Sequence, residues 1–288
     1  MSHVHLKEGI AKALFVAAAG ISILAVALIC VFLFANGVPA IAQIGLPEFL
    51  FGTTWRPAND VYGIFPMIIG SLYITGGAIA VGVPIGIFTA VFLAKYCPKG
   101  LYKIIKPATE LLAGIPSVVY GFFGLMVIVP AVRMIFGTNR TDGMSILTAS
   151  FLLGIMILPT IIGASEPTIR AVEQSYYEGA LALGATHERS VFTVVVPAAK
   201  SGILAAVILG VGRALGETMA VMMVVGNQPR VPNSILQGVR TLTTNIVMEM
   251  GYATDLHREA LIATGVVLFA FILIINLCFS SIKRSGKE

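Results

Sequence analysis

The chain has 288 residues, of which 57% are hydrophobic and only 11% are charged. A soluble globular protein carries about a quarter charged residues, so this composition excludes an ordinary soluble enzyme. Disorder is excluded too, because disordered chains combine low hydrophobicity with high net charge. The formal net charge of +5 would suit a nucleic-acid-binding protein or a membrane protein, and the positions of the charges decide between them.

Six apolar stretches are each long enough to cross a bilayer as a helix, which takes about 20 residues. They cover residues 13–35, 66–94, 107–132, 144–163, 201–225 and 261–282. The first stretch contains no charged residue. The sequence therefore predicts an all-α membrane protein with six transmembrane helices and short terminal segments at 1–12 and 283–288.

The basic residues favour one orientation of these helices. With six spans, both termini lie on the same side. The segments on that side hold twelve Lys and Arg residues and the opposite segments hold six, while Arg213 lies within a span. Because basic residues concentrate on the cytoplasmic side, both termini are predicted to be cytoplasmic. The excess positive charge is thus explained by topology, and no nucleic-acid partner is expected.

The first apolar stretch has an alternative interpretation. Lys7 and Lys12, followed by an apolar run and by Ala-Ile-Ala at 40–42, are similar to a signal peptide with its cleavage site. The apolar run has 23 residues, whereas the apolar region of a signal peptide usually has about 7–15. A retained first helix is therefore favoured over a cleaved signal.

No motif for nucleotide, metal or catalytic chemistry is present. The sequence lacks GxxxxGK[ST], HExxH and GxSxG, and Cys30, Cys97 and Cys278 are scattered. We therefore predict no catalytic residue, no metal site and no cofactor, and energy for uphill transport would come from another chain or from an ion gradient. The four histidines, at 3, 5, 187 and 257, fall in predicted aqueous segments and are expected to be solvated.

The outer segment 227–258 contains a second pattern. Apolar residues recur at helical spacing, at positions 235, 239, 242 and 246. This spacing predicts either a short amphipathic helix at the outer surface or a lid that covers helix ends.

The inner segment 164–200 is predicted to form a bracket of two helices joined at a glycine. Glu166-Pro167 suits a helix start, and Gly184 suits a helix end. Apolar residues recur between them and give the helix one apolar side, at 169, 172, 176, 180 and 183. Such a bracket could bind in a groove of a soluble partner, or it could lie at the membrane surface without a partner.

The bracket carries a family resemblance. Glu178-Gly179-Ala180, then Gly184, then Val194-x-Val196-Pro197 resembles the EAA loop of ABC importer permeases, EAA-x3-G-x9-I-x-L-P. Gly179 replaces the second alanine of that pattern, and valines replace its isoleucine and leucine. The resemblance implies a type I ABC importer permease-like bundle whose loop docks on a separate ATPase subunit.

Arg213 and Glu217 lie within the fifth predicted span. A charge within the bilayer costs roughly 3 kcal/mol even on insertion scales. In a continuous helix these two residues share a face, so each would offset the cost of the other. The pair either marks a substrate pathway or pins the helix to its neighbours.

Three further segments give a narrower resemblance. Residues 210–227 read GVGRALGETMAVMMVVGN, residues 114–121 read GIPSVVYG, and residues 241–246 read TLTTNI. They resemble the PstC-type permeases of phosphate ABC importers, and the similarity extends over roughly residues 60–280. The resemblance implies transport of phosphate across the plasma or inner membrane. It also implies a PstA-like second permease, a PstB-like ATPase dimer and a PstS-like extracytoplasmic phosphate-binding protein.

The resemblance assigns candidate residues within a permease core at 66–282. The substrate-pathway residues are Arg213, Glu217, Thr218 and Ser117, and the ATPase-coupling residues are Glu178, Gly179, Ala180, Gly184 and Pro197. Helix breaks at Pro84, Pro116 and Pro159 could expose backbone N–H groups to the same pathway. A permease for sulfate or molybdate, and a gradient-driven carrier or channel without an ATPase, remain as alternatives.

Overall fold

Helices make up nearly all of the computed structural model, which describes the backbone of residues 2–285 and the side chains of residues 8 and 11–278. The side chains of His3 and His5 lie outside this range. The α-helices are, in chain order, α1 (Ser2–Ile44), α2 (Leu46–Phe51), α3 (Phe65–Val91), α4 (Lys99–Gly114), α5 (Ser117–Phe123), α6 (Val129–Phe136), α7 (Ile146–Arg170), α8 (Gln174–Ala182), α9 (His187–Ser190), α10 (Val196–Ala198), α11 (Lys200–Gly216), α12 (Met219–Val224), α13 (Leu242–Glu249) and α14 (Asp255–Ser285). One antiparallel hairpin, β1 (Trp55–Arg56) and β2 (Val61–Tyr62), interrupts them, with a 3-10 turn at Pro57–Asn59 between its strands. Three π-helical turns link helices at Phe92–Tyr96, Gly124–Ile128 and Val191–Val195.

Five helical segments in the described part of the chain are long and apolar enough to cross a membrane, and a bent pair makes a sixth. The five are Ala11–Ile44, Phe65–Tyr96, Ser117–Phe136, Ile146–Arg170 and Asp255–Cys278. The sixth consists of His187–Ala198 and Lys200–Gly216, which meet at 70°. Counting the bent pair as one span confirms the prediction of an all-α membrane fold with six spans.

The third span begins later than its sequence predicts. Residues 107–114 belong to α4, in which no residue is buried, and the chain is extended at Ile115 before α5 begins at Ser117. This late start has two physical causes, the charged residues of α4 and the proline that precedes α5. Lys103, Lys106 and Glu110 make α4 amphipathic rather than apolar, and Pro116 disfavours helical backbone at the residue before it.

The fifth predicted span is also divided. α11 ends at Gly216, Glu217 is extended with φ −70° and ψ 127°, and α12 begins at Met219. Ile115, at the end of α4, has the same φ and ψ. The chain therefore contains two helix breaks of matching backbone geometry.

α7 lies at the centre of the bundle and packs against α3 and α11. Ile157 and Ile161 of α7 are fully buried. α3 approaches α7 closely because Gly82 has no side chain: a Cβ there would lie 2.7 Å from the carbonyl oxygen of Gly154. Small residues at such contacts let helices pack backbone to backbone in membranes.

α1 lies at the edge of the bundle and packs mainly against α14. The contact is close at Gly37, where a Cβ would lie 2.6 Å from Val266 Cγ2. In contrast, the side chains in the apolar middle of α1, such as Phe15 and Ile23, are exposed in the single chain. α1 is therefore an outer helix of the described bundle.

The outer segment 227–258 differs from the predicted amphipathic surface helix. α13 starts at Leu242 because Thr241 caps it, so Ile235 and Val239 lie outside this helix, and the segment ends in the first turn of α14. Leu242 and Asn245 are fully buried. The prediction of a surface amphipathic helix is wrong, because threonine and asparagine here face the protein interior rather than water.

Candidate functional site

The two helix breaks lie side by side because α5 and α12 pack against each other. A Cβ on Gly121 of α5 would lie 2.9 Å from the Cα of Ala220 of α12. Ser117 lies one helical turn before Gly121, and Thr218 lies two residues before Ala220. The structure thus brings the predicted pathway residues Ser117 and Thr218 into one region, together with Glu217.

Arg213 forms no ion pair with any carboxylate among the described side chains. Its Nη1 donates a hydrogen bond to the Thr160 hydroxyl of α7, at 3.2 Å. The predicted contact with Glu217 is therefore wrong. Its physical reason is the end of α11 at Gly216, which takes Glu217 off the helical face that carries Arg213.

Glu217 instead stabilises the second helix break. Its carboxylate Oε1 accepts a hydrogen bond from the N–H of Ala220, at 3.2 Å, which satisfies a donor in the first turn of α12. The Thr218 hydroxyl donates to the carbonyl oxygen of Gly216, at 3.2 Å. Side chains at the break thus replace backbone hydrogen bonds that a continuous helix would make.

A cluster of hydroxyl groups faces Glu217, and the sequence patterns did not identify it. A cavity of about 10 Å³ separates Ser71 and Thr75 of α3 from Thr241 and Thr243 near the start of α13. That volume is enough for about one water molecule. We call Ser71, Thr75, Thr241 and Thr243 the hydroxyl cluster.

The hydroxyl cluster ties α3 and α13 to the second break. Ser71 Oγ accepts from the N–H of Leu242 at 3.0 Å, and Thr243 Oγ1 donates to the carbonyl oxygen of Glu217 at 3.3 Å. Thr75 is only 7% exposed, and no described residue hydrogen-bonds to its hydroxyl. The signal available in the sequence was the spacing of Ser71 and Thr75, which are four residues apart in an apolar stretch.

Two of the three predicted proline breaks are not breaks. Pro84 lies inside the continuous helix α3, and Pro159 lies inside α7. Only Pro116 stands at a helix end. Close packing between α3 and α7 keeps each helix continuous at its proline.

The inner segment begins differently from its prediction, because Glu166 and Pro167 lie within α7. Glu166 is buried and accepts hydrogen bonds from Lys106 Nζ at 3.1 Å and from the Tyr102 hydroxyl at 3.2 Å. It also pairs with Arg170, one turn further along α7. These contacts join α4 to the inner end of α7, and they stabilise the helix beyond the predicted start.

The EAA-like loop has an exposed tip. α8 contains Glu178, Gly179 and Ala180, of which the first two are exposed and Ala180 is half-buried. Gly184 turns the chain with φ +85°, a conformation that glycine adopts without steric cost. Pro197 lies in α10 at the far end of the loop.

The apolar side of α8 differs from its prediction at two positions. Tyr176 and Leu183 were expected on the packed side, but they are 58% and 92% exposed. Tyr177 packs inward instead. α8 begins only at Gln174, so the helical register does not run on from Ile169 as predicted.

The two described histidines are bonded rather than merely solvated. His187 Nδ1 lies 2.7 Å from the Tyr177 hydroxyl. His257 Nε2 lies 2.9 Å from the carboxylate of Glu249 in the outer part of the bundle. Both partners come from neighbouring elements, which position in the sequence alone does not reveal.

Glu249 organises the outer part of the bundle. Its buried carboxylate also accepts from Trp55 Nε1 at 2.8 Å and from Arg240 Nη1 at 2.5 Å. Tyr62 stacks on His257, and burial together with the neighbouring Asp60 raises the pKa of Tyr62 to about 12. These contacts fasten the hairpin to α13 and α14.

Among the side chains that the structure describes, no three His, Cys, Asp or Glu residues come close enough to hold a metal ion. The features that stand out are instead a paired helix break inside the membrane and an exposed bracket outside it. Together they define a polytopic membrane protein that exposes a helical loop.

The chain belongs to the family described as the binding-protein-dependent transport system inner membrane component, which it matches over residues 82–285. It is 38% identical to the probable ABC transporter permease protein YqgH of Bacillus subtilis, over 96% of this chain and 93% of that protein. It is 34% identical to the phosphate transport system permease protein PstC of Mesorhizobium japonicum, over 86% of this chain and 81% of that protein.

Solved structures share the fold at low sequence identity. A bacterial ABC transporter that imports alginate aligns over 93% of this chain and 95% of its own, with a TM-score of 0.61 and 14% identity. The MetNI methionine ABC transporter in an inward-facing conformation aligns over 81% of this chain and 99% of its own, with a TM-score of 0.58 and 19% identity. The chain is thus a permease subunit of an ABC importer and not an enzyme. Its family implies an ATPase partner, a substrate-binding protein and a multi-pass location in the inner membrane.

Proposed function

We propose that this permease subunit carries inorganic phosphate into the cell, together with a PstA-like permease, a PstB-like ATPase dimer and a PstS-like binding protein. The unpaired guanidinium of Arg213 beside the two helix breaks is the observation that carries the proposal. The likeness to phosphate transport permeases such as that of Mesorhizobium japonicum supports it.

The chemistry of Arg213 suits an oxyanion. Guanidinium is a planar group with several donors and can meet two oxygens of one phosphate. Arg213 is half-buried and makes one hydrogen bond to the described side chains, to Thr160, so donors remain for a ligand. Among the described side chains no carboxylate neutralises it, which leaves its charge to attract an anion.

Glu217, Thr218 and Ser117 complete the proposed pathway. The Ser117 hydroxyl stands at the start of α5, and Thr218 stands at the start of α12. The negative charge of Glu217 at the second break would weaken anion binding enough to permit release. The hydroxyl cluster adds neutral donors on the same side of the break.

The loop from Glu178 to Pro197 is the proposed docking site for the ATPase. Leu183 at its tip is 92% exposed and Tyr176 is 58% exposed, an apolar surface that a partner groove would cover. Glu178, Gly179, Ala180, Gly184 and Pro197 occupy the positions of the family's loop motif. This assignment places the loop and both termini in the cytoplasm, in agreement with the distribution of basic residues.

The test is ATP-dependent uptake of labelled phosphate by proteoliposomes that contain the whole transporter and its binding protein. We expect Arg213→Gln to lower uptake by roughly tenfold or more, because one charge-assisted hydrogen bond contributes about 1.5–3 kcal/mol. Glu217→Gln should also change uptake. Arg133→Gln is the matched control, since Arg133 is an exposed arginine at the end of α6.

Three results would contradict the proposal. Wild-type uptake by both Arg213→Gln and Glu217→Gln complexes that assemble normally would contradict the proposed substrate pathway. Stronger competition by unlabelled sulfate or molybdate than by phosphate would assign another oxyanion. Solute accumulation by this chain alone, driven by an ion gradient, would contradict the requirement for an ATPase partner.

A further inference from the structure

The inner bracket touches the bundle at a place other than its covalent ends. We propose that Tyr177, His187 and Tyr96 form a lateral relay, which passes displacement of α8 directly to the inner end of α3. The proposal rests on the proposed function, because it assumes that an ATPase moves α8. It adds a second route to the one that runs along the chain into α11.

The first step is closure of the bracket itself. The Tyr177 hydroxyl on α8 and His187 Nδ1 on α9 lie 2.7 Å apart, within hydrogen-bond distance. The Thr186 hydroxyl caps α9 by accepting from the N–H of Arg189. Since Gly184 makes the turn between the two helices, the bracket is tied at both its turn and its side chains. α8 and α9 therefore move together.

The second step joins the bracket to α3. The ring of His187 meets the ring of Tyr96 edge to face, with centroids 4.7 Å apart and planes at 68°. Tyr96 is the last residue of the π-helical turn that ends α3. Lys95 Nζ lies 5.9 Å from the centre of the Tyr177 ring, a second contact between the same two elements.

The third step is the packing beneath these rings. Val191 and Val195, in the π-helical turn that follows α9, are fully buried, together with Ala90 of α3. Arg170 at the end of α7 donates to the carbonyl oxygen of Leu93 in the π-helical turn, at 2.7 Å. Close-packed interiors transmit displacement because they compress little. The inner end of α3 thus cannot stay in place while the bracket shifts.

The effect on transport depends on the residues that α3 contributes to the cavity. Ser71 and Thr75 of the hydroxyl cluster lie on α3, and the second break lies beyond α11. A relay to α3 would move the wall of this cavity formed by Ser71 and Thr75, while the covalent route through α11 would move the wall formed by Ala214 and Leu215. Both walls would then respond to one motion of the ATPase.

The experiment uses the whole transporter in proteoliposomes and measures labelled phosphate moved per ATP hydrolysed. His187→Ala and Tyr96→Ala each remove the ring contact. Tyr96→Phe is the matched control, because it keeps the ring and loses only a buried hydroxyl that has no hydrogen-bond partner among the described residues. Phe88→Ala truncates an exposed ring on α3, outside the docking loop, and controls for loss of apolar surface.

We expect both ring-removing variants to retain the ATPase on co-purification and to move at least about threefold less phosphate per ATP, which corresponds to the coupling changes seen for single contacts. Tyr96→Phe and Phe88→Ala should keep the wild-type ratio. Wild-type ratios in His187→Ala and Tyr96→Ala would overturn the relay, and so would loss of the ATPase from these variants.

A second measurement separates this proposal from the proposed substrate. Stimulation of ATP hydrolysis by the binding protein does not depend on which solute is counted. The relay requires this stimulation to weaken in His187→Ala and Tyr96→Ala, and unchanged stimulation would overturn it. A wild-type complex that shows stimulation but moves no phosphate would instead contradict the proposed substrate.

Discussion

Buried polar side chains of this permease find their partners in other segments of the chain. Glu249 bonds Trp55, which is 194 residues away in sequence. A buried carboxylate is stable only when such donors surround it, because burial of an unpaired charge is costly. Hydropathy patterns therefore reveal neither that these residues are buried nor which groups they meet.

Alkaline pH should weaken the outer part of the bundle through Tyr62. Its pKa rises from 10 in water to about 12 in the fold, because burial and Asp60 oppose the phenolate. The stabilisation is complete below pH 10 and is lost as the pH rises towards about 12. We expect the melting temperature of wild type to fall over this range and that of Tyr62→Phe to fall less.

The measurement is thermal unfolding in detergent at a series of pH values, with phenolate absorbance recorded in parallel. Tyr73→Phe serves as the control, since Tyr73 is 52% exposed. If Tyr62→Phe lost stability over the same range as wild type, burial of Tyr62 would not be the cause.

At the scale of helices, the sequence indicates where a helix crosses the membrane better than where it breaks. Span two lies within two residues of its prediction at both ends, and span four begins within two residues of its predicted start, because the bilayer requires long apolar runs. The break at Glu217 was missed. Nothing in the run of apolar residues shows that a carboxylate will cap α12, whereas Pro116 gave a direct signal for the first break.

The close contact of α3 with α7 gives a prediction about glycine. Gly82→Val should destabilise the bundle by about 1–3 kcal/mol, because its side chain would collide with the Gly154 carbonyl and Ile157. Gly76→Val is the matched control on the same helix, where a Cβ has no neighbour within 4 Å. Thermal unfolding of the two purified variants compares them, and equal losses would contradict a tight α3–α7 contact.

At the scale of the whole molecule, the motif in the sequence predicted the EAA-like loop but not the contacts that surround it. The spacing from Glu178 to Pro197 identified the loop correctly as a helical bracket. The contacts of His187 with Tyr177 and Tyr96 depend on how the bracket folds back on α3. Sequence spacing within one segment does not contain that information.

The orientation of the whole chain is testable by thiol labelling. In a variant whose three native cysteines are replaced by serine, Asn59→Cys should react with a membrane-impermeant maleimide in intact cells or spheroplasts. Glu188→Cys should react only after the membrane is opened. Both positions are exposed, so access depends on the side of the membrane. The reverse pattern would invert the proposed topology.

The exposed tip of the bracket has a consequence for the cell's handling of this subunit. Leu183 offers nearly its whole side chain to solvent when the chain is alone. Quality-control proteases and chaperones act on apolar surfaces that stay exposed when a partner subunit is absent. An orphan copy should therefore be short-lived, and the supply of the companion ATPase would set how much of the permease accumulates.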